Sequence, residues 1–229
     1  MNNPKQFLNS KGQLWLNVGA GCYSLPNFVH LDNSLFLQLL PLRRFMGHFL
    51  KEHQRKGFES YADATNRAPY LVHNCEKPLP FPEDSADHIL ASHFLEHLYK
   101  GDAERVVRGF FTNLKLGGTL HVIVPDLAAL VKRYIDSPPS DSCNTLFVES
   151  LILTKRTKPS FLMRWREFVG GFGLLHRWMY DRASLVALLE QAGFELEETN
   201  DSPSRQWRDE DNAWQVNVLA RKTRQSHGY

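Results

Sequence analysis

The chain has 229 residues, of which 42% are hydrophobic and 23% are charged, and this composition excludes disordered, collagen-like and fibrous proteins. At roughly 150 residues per domain, the length favours one large domain that carries insertions. The 27 Lys and Arg residues against 25 Asp and Glu leave a net charge of +2, which is too small to indicate nucleic acid as the default partner.

The cysteines and the first residues indicate a reducing compartment. Cys22, Cys75 and Cys143 form no C-x-x-C pair, so we expect neither a disulfide framework nor a zinc module. The N-terminal residues lack the apolar core of a secretory signal, and no run of about 18 apolar residues occurs. We therefore expect a cytoplasmic protein, and the sequence leaves its oligomeric state open.

In chain order, four short apolar runs predict strands: Leu14 to Val18, Asn27 to Asp32, Asp87 to Ser92, and Thr119 to Pro125. Between the last two, apolar residues at helical spacing predict a helix from about Asp102 to Leu116, with the glycine pair at positions 117 and 118 as its C-terminal stop. Strands that alternate with helices imply a parallel α/β sheet covered on both faces.

The C-terminal part predicts a helix followed by two strands. Asp181 precedes an apolar helical pattern that stops at Gly193, which predicts a capped helix. Two strand-like runs, beginning at Phe194 and Ala213, then follow without a helix between them. This spacing predicts an antiparallel pair at the edge of the sheet.

Residues 34–70 and 137–176 interrupt the alternation, and we predict that both are insertions above the sheet within the single domain 1–229. Both mix basic residues with aromatic and aliphatic ones. We expect amphipathic lid helices with a solvated basic face. Closure over an anionic substrate and peripheral contact with an anionic membrane are the less favoured alternatives.

A glycine-rich loop and an acid indicate a nucleotide-like ligand. Gly19 and Gly21 directly follow the first predicted strand, where backbone amides can approach a ligand. A dinucleotide is disfavoured because Ser24 replaces the third glycine and because Asp32 lies only 11 residues beyond Gly21. A carboxylate at this strand end can accept hydrogen bonds from both hydroxyls of a ribose. The alternative is that Asp32 caps the turn that follows it.

Several ordered motifs resemble the class I S-adenosylmethionine-dependent methyltransferases, and in particular the small bacterial type 11 group. They are NVGAG, FVHLD, NCEKPLPFPEDSADHILASHFLEHL, LKLGGTLHVIVPDL and HRWMYDRASLVALLEQAGF. The resemblance implies a Rossmann-like three-layer α/β/α sandwich. Its seven-stranded sheet would be mostly parallel with an antiparallel last strand, and the helical insertions would form the lid.

By this resemblance the cofactor is S-adenosyl-L-methionine. The residues implied to bind it are Asn17, Gly19, Ala20, Gly21, Asp32, Asn33, Asn74, Cys75, Ser92 and His93. Asn17 and Asn74 stand where the family usually has acids, and each change removes a charge but keeps a hydrogen-bond acceptor. We therefore expect weaker cofactor binding than in relatives with acids at these positions.

Two histidines are candidate catalytic bases, because imidazole titrates near pH 7. His93 and His97 lie four residues apart on the helix predicted after the fourth strand, so we expect them on one face, with Glu96 beside them. Some methyltransferases of quinone biosynthesis hold a divalent metal with a similar E-x-x-E-H run. Since His93 replaces the first Glu here, we predict no metal. The alternative for His97 is a structural bond to a buried backbone group.

His176, Arg177 and Tyr180 come just before the predicted C-terminal helix, and they are candidates for a substrate-binding wall. Arg177 and Tyr180 would donate hydrogen bonds to an anionic or hydroxylated substrate. The alternative is purely structural: Asp181 caps the helix and Trp178 packs against it.

The resemblance implies methyl transfer to an oxygen of a small or glycan-linked molecule. Many amino-methylating enzymes of this fold carry an Asn-Pro-Pro-aromatic tetrapeptide after the fourth strand, but this chain has ASHF at 91–94. Two other functions remain open. One is a cofactor-binding module that has lost catalysis, as Asn17 and Asn74 indicate; the other is RNA or protein methylation through the basic segments.

Overall fold

The computed structural model describes residues 1–46, 52–138, 175–197 and 214–225. The strands in these ranges are β1 (Trp15–Val18), β2 (Val29–Asp32), β3 (Tyr70–Val72), β4 (Ala86–Ser92), β5 (Leu114–Pro125), β6 (Glu195–Leu196) and β7 (Gln215–Arg221). The α-helices are α1 (Leu35–Gln38), α2 (Arg43–Met46), α3 (Glu52–Arg67), α4 (Lys100–Asn113), α5 (Leu127–Asp136) and α6 (Arg182–Gln191). Short 3-10 turns cover Pro4–Gln6, Leu40–Leu42 and Leu95–His97.

The seven strands form one sheet in the order β3-β2-β1-β4-β5-β7-β6. The neighbours from β3 to β5 pair in parallel, whereas β7 is antiparallel to both β5 and β6. The predicted α/β sheet with an antiparallel last strand is confirmed. Strand order reverses between β1 and β4, and ligands of open α/β sheets bind beyond the carboxyl ends of the strands at such a point.

The central strands are buried because helices cover the sheet. Leu16 of β1, Ile89 of β4 and Val122 of β5 are all 0% exposed, as expected for parallel strands with both faces covered. Helix α4 buries Val107 and Phe110 in the same core. This rigid centre holds the strand ends that carry the candidate site.

The boundary between α4 and β5 differs from the sequence prediction. Helix α4 ends at Asn113, and β5 begins at once with Leu114, which pairs with Ala86 of β4. The predicted helical stop at the glycine pair was therefore wrong. Gly117 has φ +80° inside β5 and its amide donates to the carbonyl of Lys222 at 2.8 Å. The register of β4 and β5 shifts in this region, so strand pairing overrides the local helical periodicity.

Residues 34–70 contain α1, α2 and α3, with Pro41 in the 3-10 turn between the first two. Helix α3 also forms the crossover between the parallel strands β2 and β3. Most of the second predicted insertion, residues 137–176, lies outside the described residues. Among the helices that the structure describes, none is long and apolar enough to cross a membrane.

Candidate active site

The glycine-rich loop follows β1 in a conformation that needs glycine at two positions. Gly19 has φ +64° and Gly21 has φ +57°, both in the left-handed region that glycine adopts without strain. A Cβ atom at Gly19 would also lie only 2.6 Å from Cδ2 of Phe94. The loop is therefore held against the residue that follows His93, and the carboxyl ends of β1 and β4 are closely joined.

Asp32, at the end of β2, fixes the loop from the other side. Its Oδ2 accepts a hydrogen bond from the amide of Gly21 at 2.8 Å. Its Oδ1 accepts from the amide of Ser34 at 2.7 Å and from the hydroxyl of Tyr61 at 3.0 Å. Asp32 therefore caps the turn that follows it, as in the alternative interpretation of the sequence, and the same carboxylate also contacts the glycine loop.

Tyr61 was not among the residues selected from the sequence. It lies on α3, is 8% exposed, and its pKa is raised by burial and by the charge of Asp32, so its hydroxyl stays a donor. The two residues are 29 positions apart, and no local pattern links them. Only the packing of α3 beside β2 brings this phenol to the carboxylate.

The remaining predicted cofactor residues differ in their exposure. Asn33, Asn74 and Ser92 are half-buried, whereas Asn17 is 3% exposed and Cys75 is 1% exposed. Burial raises the pKa of the Cys75 thiol to about 12. The structure therefore brings Cys75 beneath the loop, where it offers almost no surface to a ligand.

His93 is held at the end of β4 by contacts on both ring nitrogens. Its Nδ1 lies 3.2 Å from Oε1 of Glu96, and its Nε2 lies 2.8 Å from the side-chain amide nitrogen of Gln215. A carboxylate only accepts and an NH₂ group only donates, so Nδ1 carries the proton and Nε2 carries the lone pair. The ring also lies 5.5 Å from the ring of Trp214. Neither Gln215 nor Trp214 was selected from the sequence.

The prediction that His93 and His97 share a helix face is wrong. His93 has φ +51°, which is a left-handed backbone conformation, and only the short turn Leu95–His97 follows. The two rings therefore have different surroundings. Nδ1 of His97 lies 3.2 Å from the carbonyl oxygen of Leu175, as in the structural alternative, and its ring is 5.0 Å from that of His176.

The predicted substrate residues lie beside this pair of histidines. His176 is 7% exposed and Tyr180 is 3% exposed, and burial together with the charge of Glu96 raises the pKa of Tyr180. The guanidinium of Arg177 lies 4.7 Å from the ring of Tyr99 and 4.0 Å from Oε1 of Glu76. Their role towards a substrate stays a prediction.

The chain was compared with known proteins. The family model described as a methyltransferase domain matches residues 44–199. No curated protein matches the sequence.

Solved structures resemble the fold at low sequence identity. The PH0226 protein from Pyrococcus horikoshii is 14% identical, with a TM-score of 0.51 over 93% of this chain and 83% of its own. A chain from the complex between the Haloferax volcanii Trm112 methyltransferase activator and a methyltransferase is 13% identical, with a TM-score of 0.50 over 93% of this chain and 84% of its own. The chain belongs to the methyltransferase domain family and is a methyltransferase enzyme.

Proposed function

We propose that the protein transfers the methyl group of S-adenosylmethionine to an oxygen atom of a small or glycan-linked acceptor, and that His93 takes the proton from the acceptor's hydroxyl. The observation that carries this proposal is the pair of contacts on the His93 ring. They leave Nε2 as a base at the end of β4 and Nδ1–H bound to a carboxylate.

The residues at the ends of β1, β2 and β4 fit this cofactor. The left-handed glycines keep the loop free of side chains, so its backbone can approach a ligand closely. Oδ2 of Asp32 accepts one described hydrogen bond, and a carboxylate oxygen has a second acceptor site for a ribose hydroxyl. When bound, S-adenosylmethionine supplies an electrophilic methyl group on a sulfonium, so the protein chiefly aligns the acceptor and moves its proton.

An oxygen acceptor suits the arrangement around His93. A hydroxyl is a weak nucleophile unless a base takes its proton as it attacks, whereas a neutral amine attacks through its lone pair and loses its proton afterwards. Nε2 of His93 can take that proton once the hydroxyl replaces the amide of Gln215 as its hydrogen-bond donor. The carboxylate of Glu96 then stabilises the positive ring that forms.

The surroundings of His93 support a hydroxylated ring as acceptor. The His93 side chain is 36% exposed, and the neighbouring Trp214 is 41% exposed. A partly exposed aromatic ring next to a hydrogen-bonding group suits a molecule with one apolar face and polar edges, such as a sugar or a phenol.

The proposal is tested by following formation of S-adenosylhomocysteine with panels of hydroxylated and amine acceptors. We expect turnover with a hydroxylated acceptor, and we expect His93→Ala to lower kcat by about 100- to 10,000-fold. Binding of S-adenosylhomocysteine, measured by calorimetry, should stay within a few-fold. Arg108→Ala serves as the control, because Arg108 is an exposed residue of α4 that is not among the site residues.

Two results would contradict the proposal. Turnover only with amines, RNA or protein, and not with hydroxylated small molecules, would show that the acceptor is of another class. Tight cofactor binding without transfer to any acceptor would indicate a binding module that has lost catalysis.

A further inference from the structure

Three potential metal ligands meet beside the candidate active site. Each of Glu96, His97 and His176 offers one ligand atom, and these atoms all lie within 4.8 Å of one another. Glu96 is 0% exposed and His176 is 7% exposed, while His97 is half-buried. Two imidazoles and a carboxylate are therefore gathered in a largely dry environment.

Glu96 has an oxygen that the described protein leaves unused. Its Oε1 accepts from Nδ1 of His93, but Oε2 is buried and has no hydrogen-bond partner among the described residues. A buried carboxylate oxygen without a partner is strongly unfavourable, and such a group usually pairs with a cation or coordinates a metal. The backbone of Glu96 is fixed beside His176, because its carbonyl accepts the amides of Arg177 at 2.7 Å and Trp178 at 3.2 Å.

His97 is prepared to act as a ligand. A carbonyl oxygen only accepts, so the contact of Nδ1 with the carbonyl of Leu175 at 3.2 Å places the ring proton on Nδ1. Nε2 then carries the lone pair. A backbone carbonyl that holds the other ring nitrogen in this way is the usual orienting contact of metal-binding histidines.

We propose that Glu96, His97 and His176 bind a divalent transition metal ion of the zinc type. Imidazole and carboxylate together suit zinc and its first-row neighbours, whereas magnesium and calcium prefer oxygen ligands throughout. Ligand atoms about 2.0 to 2.1 Å from one zinc ion lie roughly 3.4 Å apart in a tetrahedron. The ligand atoms, which lie within 4.8 Å of one another, therefore approach by at most about 1.4 Å when the ion binds.

The ligands come from two distant parts of the chain. Glu96 and His97 follow β4, and His176 lies just beyond residues 139–174. The ion would tie these parts together next to His93. The sequence prediction of no metal considered only ligands within one continuous run and did not include His176, which is distant in sequence.

The proposal is tested on the full chain after removal of metal with a chelator. Co²⁺ is added as a spectroscopic probe for the zinc type, and Zn²⁺ binding is measured by calorimetry. We expect one equivalent of each ion, with visible Co²⁺ absorption bands and a metal-dependent rise in Tm. His176→Ala, His97→Ala and Glu96→Gln should each weaken binding by at least about 10-fold. His73→Ala, outside the cluster, should leave binding unchanged.

Folding is checked in each variant by circular dichroism, and the proposed methyl transfer requires no metal. A failure of metal binding therefore leaves the proposed methyl transfer untouched. If His176→Ala does not fold, His97→Ala still tests whether loss of one ligand weakens metal binding, because His97 is only half-buried. The proposal is overturned if the chain binds neither ion, or if one equivalent binds equally well to folded His97→Ala and Glu96→Gln.

Discussion

At the scale of single residues, Gly19 and Gly21 make a matched pair. Both have a positive φ, but a Cβ atom would contact Phe94 at 2.6 Å in the first case and only Tyr23 at 3.9 Å in the second. Backbone strain therefore acts at both positions, whereas steric overlap acts only at Gly19. Substitution of each glycine in turn therefore distinguishes backbone strain from steric overlap within one loop.

We expect Gly19→Ala to lower the free energy of unfolding by about 2 to 4 kcal/mol, from strain plus overpacking. Gly21→Ala should cost only about 1 kcal/mol, because strain acts alone. Urea unfolding of both variants measures the difference. Equal losses would show that Phe94 moves aside without cost, and Gly19→Ala combined with Phe94→Leu should recover part of the loss.

Asn17 carries a second prediction at this scale. It is 3% exposed in β1, two residues before Gly19, where the family resemblance implies a contact with the ammonium group of the cofactor. We expect Asn17→Asp to bind S-adenosylmethionine more tightly and to lower the Tm of the free protein, because the new carboxylate is buried and unpaired until the ligand arrives. Calorimetry and thermal unfolding test both parts, with Asn17→Ser as the control. Unchanged or weaker binding would contradict the account.

At the scale of elements, α6 was predicted with its cap. Oδ1 of Asp181 accepts from the amide of Ser184 at 2.8 Å, and the hydroxyl of Ser184 accepts from the amide of Asp181 at 3.0 Å. These bonds form the reciprocal capping box of a helix N-terminus. Capping uses residues three positions apart, so the sequence alone contains the whole interaction.

We expect Asp181→Ala to cost about 1 kcal/mol of stability at pH 7. Hydrogen bonds from Ser184 lower the pKa of Asp181, so its contribution is full above the usual pKa of Asp and is lost as the pH falls through the lower folded value. Urea unfolding at pH 7 and below pH 3 measures this. The exposed Arg182→Ala change is the control, and an equal loss at both pH values would contradict the capping role.

At the scale of the whole molecule, buried histidines limit acid stability. His30 and His88 are 0% and 1% exposed, and burial lowers their pKa values to about 4 and about 3. Nε2 of His30 accepts the amide of Leu25 at 2.8 Å, and Nδ1 of His88 lies 2.7 Å from Oγ1 of Thr119. The sheet is therefore built around neutral imidazoles.

The unfolded chain binds protons at these histidines below about pH 6.5, whereas the folded chain does not. Stability is therefore highest above pH 6.5 and falls as the pH drops towards 4, by up to about 1.4 kcal/mol per pH unit for each histidine. Burial also lowers the pKa of His73, so the free energy of unfolding, measured with urea across this window, should fall with a slope of at least two protons. In His88→Asn, the slope of the free energy of unfolding against pH should be smaller by about one proton between pH 6.5 and 4. Above pH 7, the variant and the wild type should have the same slope. An unchanged slope in the variant would exclude His88 as a source.

The sequence by itself determined the alternation of strands and helices, the glycine loop, the position of Asp32 and the cap at Asp181. Each depends on residue types within one segment, where periodicity and turn chemistry act directly. The tertiary structure decided the contact of Tyr61 with Asp32, the contact of Gln215 with His93 across 122 positions, and the meeting of His176 with Glu96. It also decided that Gly117 lies within a strand. These features follow from strand order, register and the packing of distant segments, which local patterns do not encode.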